Sequence, residues 1–179
     1  DPLTRGALAE NLAHMAFRQG DYHNASKALR TALDAYYDAG YLAGAETCYR
    51  VLGMVSLRQA DQGADPQGTD TALQQLLTSQ LLSEILRERL AADQSGVTRA
   101  GFFARRAQVG KLIVQRLLER GEAARALKFA ELSKARALQD LLTAGGIDPS
   151  GARGAETPDI EQVLDDWPDG VVALEYFLG

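Results

Sequence analysis

The side chains with the most reactive chemistry in this chain are one cysteine and two histidines: Cys48, His14 and His23. A cysteine nucleophile needs a thiolate beside a base, and a zinc site needs several cysteine or histidine ligands at close spacing. The two histidines lie nine residues apart on different predicted helices, and Cys48 lies within a third. The pattern therefore predicts neither a catalytic pair nor a metal site, and Cys48 is predicted to be a packing residue. The chain also lacks a glycine-rich phosphate loop with its lysine, so no cofactor is expected.

The composition is that of a folded protein without a strong electrostatic preference. Of its 179 residues, 46% are hydrophobic and 24% are charged, and the formal net charge is −5. These values are ordinary for one globular domain, and the acidic balance gives no reason to expect nucleic acid as a partner. A single cysteine excludes an internal disulfide and favours a reducing, cytoplasmic location. No apolar run reaches the ~20 residues that cross a bilayer, so no membrane partner is expected.

Hydrophobic periodicity and turn signals predict an all-α chain. The six predicted helices span residues 3–19, 22–38, 41–60, 70–92, 97–120 and 122–144. Gly20-Asp21 and Gly121-Glu122 supply tight turns, with Asp21 as the N-cap of the second helix. A loop is predicted over residues 61–69, where Gly63, Pro66 and Gly68 interrupt the helical pattern.

Two lines of small residues predict that these helices pair as closely packed antiparallel hairpins. The lines consist of Ala25, Ala28, Ala32 and Ala35 in the first hairpin, and of Ala126, Ala130, Ser133 and Ala137 in the last. Their spacing keeps each line on one helical face.

The sequence also contains a helical repeat. Leu12, Leu52 and Ile113 occupy equivalent helix positions, and the 101 residues from the first to the last are close to three periods of a ~34-residue helical repeat.

The C-terminal part of the chain has a different composition. Residues 145–156 are rich in glycine and small side chains and are predicted to be a flexible linker. A short helix over residues 157–166 and a buried strand over residues 171–178 are predicted to follow. Because the first residue is Asp1 and the chain stops inside an apolar stretch, we expect a fragment of a larger protein. A lone strand there could pair with a second molecule and form a dimer.

The first hairpin and the third helix resemble tetratricopeptide repeats. The first hairpin carries the resemblance in Leu12-Ala13, Gly20-Asp21-Tyr22, Ala25, Leu29 and Ala32-Leu33, and the third helix carries it in Tyr49, Leu52 and Gly53. The resemblance implies hairpins stacked in a right-handed superhelix. Ser56 stands where the repeats usually have a large side chain, so the middle repeat departs from the regular pattern.

Residues 131–142 are similar to the last repeat helix before a CHAT domain, the caspase-like domain associated with tetratricopeptide repeats in bacterial proteins. The pattern E-x-S-x-x-R-x-x-x-D-L-L is matched by Glu131, Ser133, Arg136, Asp140, Leu141 and Leu142. Residues 167–179 resemble the first strand of a CHAT domain. The resemblance implies repeats over residues 1–144, a linker over 145–156 and the start of a truncated CHAT-like domain over 157–179.

The tetratricopeptide resemblance places the first-helix residues of each hairpin on a concave, peptide-binding groove. By that mapping the groove candidates are Asn11, His14, Arg18, Arg50, Met54, Arg58, Lys111 and Gln115. The converging cations would favour an acidic segment or a C-terminal carboxylate. The alternative interpretation is a solvated face whose cations are balanced by Glu10 and Glu46.

The resemblance implies a scaffold that recognises a protein partner and regulates an attached caspase-like protease, with no catalytic constellation in the residues present. Two alternatives stay open. One is a purely structural or oligomerisation module, and the other is a repeat array that senses a small molecule in a bacterial regulator.

Overall fold

The computed structural model describes residues 1–63, 67–91 and 99–144, and every regular element in these ranges is an α-helix. The helices are α1 (Pro2–Arg18), α2 (Tyr22–Asp38), α3 (Leu42–Asp61), α4 (Gly68–Ala91), α5 (Arg99–Glu119) and α6 (Ala123–Ala144). The chain divides into two compact units, Asp1–Val109 and Gly110–Gly179. The all-α prediction is confirmed for the described residues. The predicted linker, short helix and strand of residues 145–179 lie outside them.

The predicted helix boundaries agree with the structure to within two residues, and α2 matches at both ends. The largest difference concerns the loop predicted over residues 61–69. Gly68 lies in the first turn of α4, although the sequence analysis treated it as a helix breaker. A glycine is tolerated at this first helical position because its cost of about 1 kcal/mol relative to alanine applies to the helix interior.

Three helices end in the same hydrogen-bonded turn, at Gly20, Gly40 and Gly121. Each glycine has a positive φ, of 77°, 63° and 75° respectively. Its N–H donates to the carbonyl three residues earlier, and the next N–H donates to the carbonyl five residues earlier, with N···O distances of 2.8–3.1 Å. This is the Schellman arrangement, which satisfies the last carbonyls of a helix and favours glycine. The next helix begins almost immediately, so each link is very short.

In the first unit, the first four helices pack in the order of the sequence. α1 packs on α2, α2 on α3 and α3 on α4, while α1 also touches α3. Three of these helices share one buried cluster, which contains Ala9, Ala13, Ala25, Leu29, Ala32, Tyr36, Cys48, Val51, Leu52 and Val55. Of the predicted small-residue line of α2, Ala25, Ala32 and Ala35 are fully buried, and Ala28 is partly buried against the same cluster. This packing of sequence neighbours is typical of helical repeats.

Tyr36 of α2 fits between two glycines that belong to different helices. A Cβ atom on Gly6 of α1 would lie 2.6 Å from Cε1 of the ring, and one on Gly44 of α3 would lie 2.5 Å from Cδ2 on the opposite edge. The ring cannot move away from one helix without approaching the other. It also makes an edge contact with Tyr41, with centroids 5.3 Å apart. Tyr36 therefore sets how closely α1 and α3 approach α2.

α3 and α4 meet through a similar close contact. A Cβ atom on Gly53 would lie 2.6 Å from Cγ of Leu76, a fully buried side chain. Ser56, where the repeats usually have a large residue, is buried and donates its hydroxyl hydrogen bond to Gln75 Oε1 at 2.9 Å. A polar contact thus occupies the position at which the sequence departs from the repeat pattern.

In the second unit, the described residues include the turn at Gly121 and a set of buried side chains on both flanking helices. This buried set comprises Ile113, Val114 and Leu117 of α5 together with Ala126 and Ala130 of α6. The predicted burial of Ala126 and Ala130 is confirmed. Ser133, next on the same line, is half-buried and donates to the Phe129 carbonyl at 2.8 Å.

Replacing Gly44 with alanine should destabilise the protein because the new methyl group overlaps the Tyr36 ring. Overpacking of this kind costs about 1–3 kcal/mol, partly offset by the ~1 kcal/mol that alanine gains over glycine in a helix. We expect a net loss of up to about 2 kcal/mol in urea unfolding followed by circular dichroism. In a Tyr36→Ala background the same change should be neutral or stabilising. An equal effect in both backgrounds would contradict the contact.

Replacing Ala130 with leucine should also overpack a buried position and lower the free energy of unfolding by about 1–3 kcal/mol. Ala135→Leu is the matched control, because Ala135 is exposed on the same helix. If the two variants unfold at the same urea concentration, Ala130 does not pack against a neighbouring element.

Candidate functional site

Glu10 of α1 lies where the first three helices meet. Its Oε2 accepts a 2.6 Å hydrogen bond from the Tyr36 hydroxyl of α2, and its Oε1 lies 3.5 Å from Nε2 of His14. The desolvated position of Tyr36 and this hydrogen bond raise the pKa of the phenol. The Glu10 carboxylate also contributes to the raised pKa of the Cys48 thiol on α3. Glu10 is therefore a polar group shared by the surfaces of α1, α2 and α3.

A second acidic residue, Glu46 of α3, holds a comparable position beside α4. The Ser79 hydroxyl donates to Glu46 Oε1 at 2.8 Å, and Arg50 Nε lies 3.8 Å from the same oxygen. That distance is too long for a hydrogen bond. Only 18% of the Arg50 side chain is exposed. Its Nε is buried and has no hydrogen-bond acceptor among the described residues.

The groove candidates on α1 and α3 occupy different environments. Asn11, Arg18 and Arg58 are exposed, whereas His14 and Arg50 are partly covered and lie beside the acidic residues of their own helices. Met54 is partly buried and packs against the core cluster, so most of its side chain serves the interior. His14 and Arg50 are therefore each accompanied by a carboxylate of their own helix, Glu10 and Glu46 respectively.

The remaining two candidates belong to the part of α5 that lies in the second unit. Lys111 is partly buried, and Gln115 is exposed and donates from Nε2 to Glu119 Oε1 at 2.9 Å. Gln115 and Glu119 are one helical turn apart, so this hydrogen bond stays within the helix.

Cys48 has the properties of a packing residue. Its side chain is fully buried in the core cluster, and burial, assisted by the charges of Glu10 and Glu46, raises the pKa of the thiol to about 12. At neutral pH the thiol is protonated, whereas nucleophilic catalysis needs the thiolate. The prediction that Cys48 packs in the interior is confirmed.

An exposed apolar stripe on α1 was not predicted from the sequence. Leu8, Leu12 and Met15 are exposed on the described surface, and their spacing of four and three residues keeps them on one helical face. Leu12 was recognised as the repeat equivalent of Leu52 and Ile113, which are both buried. A repeat pattern identifies equivalent positions, but it does not show which of them has a helix packed over it.

Two other kinds of site find no support in the described residues. Across residues 1–63, 67–91 and 99–144, no three histidine, cysteine or acidic side chains are grouped so that they could hold a metal ion. Over the same ranges, none of the helices combines the length and apolarity that spanning a bilayer requires.

The Cys48 thiol should be unreactive toward Ellman's reagent in the native protein and should react fully in denaturing urea. Both burial and the raised pKa suppress the thiolate, so the native reaction should be limited by unfolding. A mild urea concentration that destabilises the fold should accelerate the reaction in proportion to the unfolded fraction. Rapid labelling in native buffer would contradict the buried position.

Comparison of the chain with protein-family models, with curated proteins and with solved structures gives no significant match.

Proposed function

We propose that this chain is an interaction scaffold that binds a peptide segment on the surface formed by α1 and α3, with Arg50 as the principal polar contact. The observation that carries the proposal is the state of the Arg50 guanidinium. It is largely covered, its Nε lacks a hydrogen-bond acceptor, and its nearest carboxylate oxygen stands at 3.8 Å. Buried donors are normally satisfied in folded proteins, so an unsatisfied one needs an explanation. An acceptor on a bound peptide would supply one once the Arg50 side chain moves to meet it.

A carboxylate or a backbone carbonyl of a peptide is a suitable acceptor. Arginine presents several N–H donors in a fixed plane and forms its strongest hydrogen bonds with carboxylates. An acceptor on Arg50 would lie close to Glu46, whose charge opposes a second anion. This favours a single carboxylate, such as a peptide C-terminus, over a run of acidic residues.

The charges on α1 and α3 also favour a peptide with a single carboxylate. His14 lies beside Glu10, and Arg50 lies beside Glu46, so each helix carries one acid for each of these basic groups. Arg18 and Arg58 are exposed, and charges so exposed contribute little to affinity. They would steer an acidic peptide toward the surface, while Arg50 would hold it.

We further propose that the hairpins stack in a right-handed superhelix and that this superhelix regulates an attached domain. Stacking of the hairpins into a right-handed superhelix agrees with the sequential packing of α1 to α4. The similarity of residues 131–142 and 167–179 to CHAT-domain proteins supports regulation of an attached caspase-like domain, in a cytoplasmic bacterial protein. A partner that prefers one curvature of the repeats would shift the population of that domain between its states.

Fluorescein-labelled octapeptides ending in leucine test the proposal, one with a free C-terminal carboxylate and one amidated. Fluorescence anisotropy should detect binding of the free-acid peptide, with an affinity at least about tenfold higher than that of the amide, because the amide lacks the anionic acceptor. Arg50→Gln should remove this preference, and Arg58→Gln should weaken binding by only about two- to threefold.

Arg30→Gln is the matched control, because Arg30 is exposed on α2, away from the proposed contact. It should leave both affinities unchanged, and all variants should keep the circular dichroism of the parent. Binding that ignores the C-terminal group, or that survives Arg50→Gln, would assign peptide recognition to another surface.

A further inference from the structure

The face of α4 that packs on α3 contains serine where a helix interior normally has apolar side chains. Ala72, Leu76, Ser79 and Ser83 recur every three or four residues on this face, and none is more than 4% exposed. Leu76 fixes the face on α3, because a Cβ atom on Gly53 would lie 2.6 Å from its Cγ. Ser79, one turn further along α4, is therefore held against α3 with little freedom to move.

The Ser79 hydroxyl is used to hold a carboxylate of the neighbouring helix. It donates to Glu46 Oε1 at 2.8 Å, so a residue of α4 determines where this carboxylate of α3 lies. The Glu46 side chain is only 13% exposed, so water contributes little to its solvation. Arg50 Nε lies 3.8 Å from the same oxygen, which is about 1 Å longer than an ordinary N–H···O hydrogen bond.

The long distance between Glu46 and Arg50 is unexpected for two such side chains. They are one helical turn apart, with the acid on the N-terminal side, which is the favourable orientation for a pair. Both are largely covered, and a hydrogen bond between two ionised groups is stronger than one with a neutral hydroxyl. A contact that holds the carboxylate back from Arg50 explains the distance. In the described residues, the hydrogen bond from Ser79 is a contact of this kind.

We propose that Ser79 is a positioning residue for Arg50. Its hydroxyl holds Glu46 back from the guanidinium and keeps the Arg50 Nε–H open to an acceptor on a bound peptide. This inference rests on the proposed function and adds a control of the peptide site by α4, a helix that supplies none of the groove candidates.

Loss of the Ser79 hydroxyl would close the contact between Glu46 and Arg50. Glu46 would become a largely buried carboxylate without its donor, which is costly. The Arg50 Nε–H, 3.8 Å away, is a donor that a rotation of the Glu46 side chain brings within hydrogen-bond distance. A peptide carboxylate would then have to compete with Glu46 for Arg50.

Proton–nitrogen NMR spectra of the arginine Nε–H groups test the positioning directly. The Arg50 signal is assigned by its loss in Arg50→Gln. In Ser79→Ala this signal should move downfield and its proton should exchange more slowly with water, because the Nε–H gains a charged acceptor. Adding Glu46→Gln to Ser79→Ala should return the signal toward its native position, since the anion is removed.

Peptide binding provides the second measurement. Ser79→Ala should weaken binding of the free-acid octapeptide by about five- to tenfold, which corresponds to the net contribution of one hydrogen bond. In a Glu46→Gln background the same change should alter the affinity by less than about twofold, because no carboxylate can then close on Arg50.

Ser56→Ala is the matched control, because it removes another buried serine hydrogen bond from the contact between α3 and α4. The Ser56 hydroxyl donates to Gln75 rather than to Glu46. Its removal should leave both the Arg50 signal and the peptide affinity unchanged. A general loosening of α4 would affect the Ser56 and Ser79 variants alike.

An Arg50 signal that stays unchanged in Ser79→Ala would overturn the proposal, and so would an equal shift in Ser56→Ala. A loss of affinity that persists in the Glu46→Gln background would also overturn it, since Ser79 would then act through the packing of α4 alone. The NMR measurement needs no peptide. If the Arg50 signal shifts as expected but the native protein does not bind the free-acid peptide, the proposed function fails while the positioning of Arg50 by Ser79 stands.

Discussion

The contact of one aromatic ring with two glycines is the constraint on which the first unit depends. Tyr36 occupies the space that side chains would otherwise take at Gly6 and Gly44, so α1 and α3 are both held at contact distance from α2. The ring is rigid and packed on both edges, so a shift of α1 or α3 would displace the ring toward the other helix. A flexible side chain would adjust instead. The shared core cluster of α1, α2 and α3 is a consequence of this approach.

The same residue connects packing with the polar surface. The buried ring directs its hydroxyl to Glu10, which thereby takes a fixed place at the junction of three helices. Glu46, Ser79 and Arg50 form a second polar group beside α4. Both acids act on the Cys48 thiol, so the interior and the candidate binding surface are close neighbours. A change in the position of α1 relative to α3 would therefore alter the environment of Glu10 and its effect on the Cys48 thiol.

Local features of the sequence predicted the elements well because they depend on neighbouring residues only. Helical periodicity predicted the helices to within two residues, and Gly20 and Gly121 predicted the ends of α1 and α5, whereas the equivalent turn at Gly40 was not predicted. Small-residue spacing gave the burial of Ala32 and Ala130. Gly68 was placed outside α4 because glycine is a poor helix former in the interior of a helix, whereas in the first turn that cost is smaller.

The parts that could not be predicted depend on which helix covers which face. Leu12 and Leu52 look alike in sequence, yet one is exposed and the other is buried. Tyr36 contacts Gly6, thirty positions earlier in the sequence, and no local sequence pattern predicts this contact. The arginine at position 50 stood out as a cation at helical spacing, but the unsatisfied Nε follows from the distance to Glu46 and from burial by neighbouring residues.

The short glycine links between helices have a consequence for the evolution of the chain length. Only a few residues separate α1 from α2 and α2 from α3, and their hydrogen bonds fix the direction of each following helix. One residue added at Gly40 would turn α3 by about 100° about its own axis. Gly44 would then leave the Tyr36 ring, and a bulkier residue would take its place. The contact between Gly44 and Tyr36 therefore restricts the length of these links as well as the packing of the core. A change in length is more easily accommodated between α3 and α4, where the connection is longer.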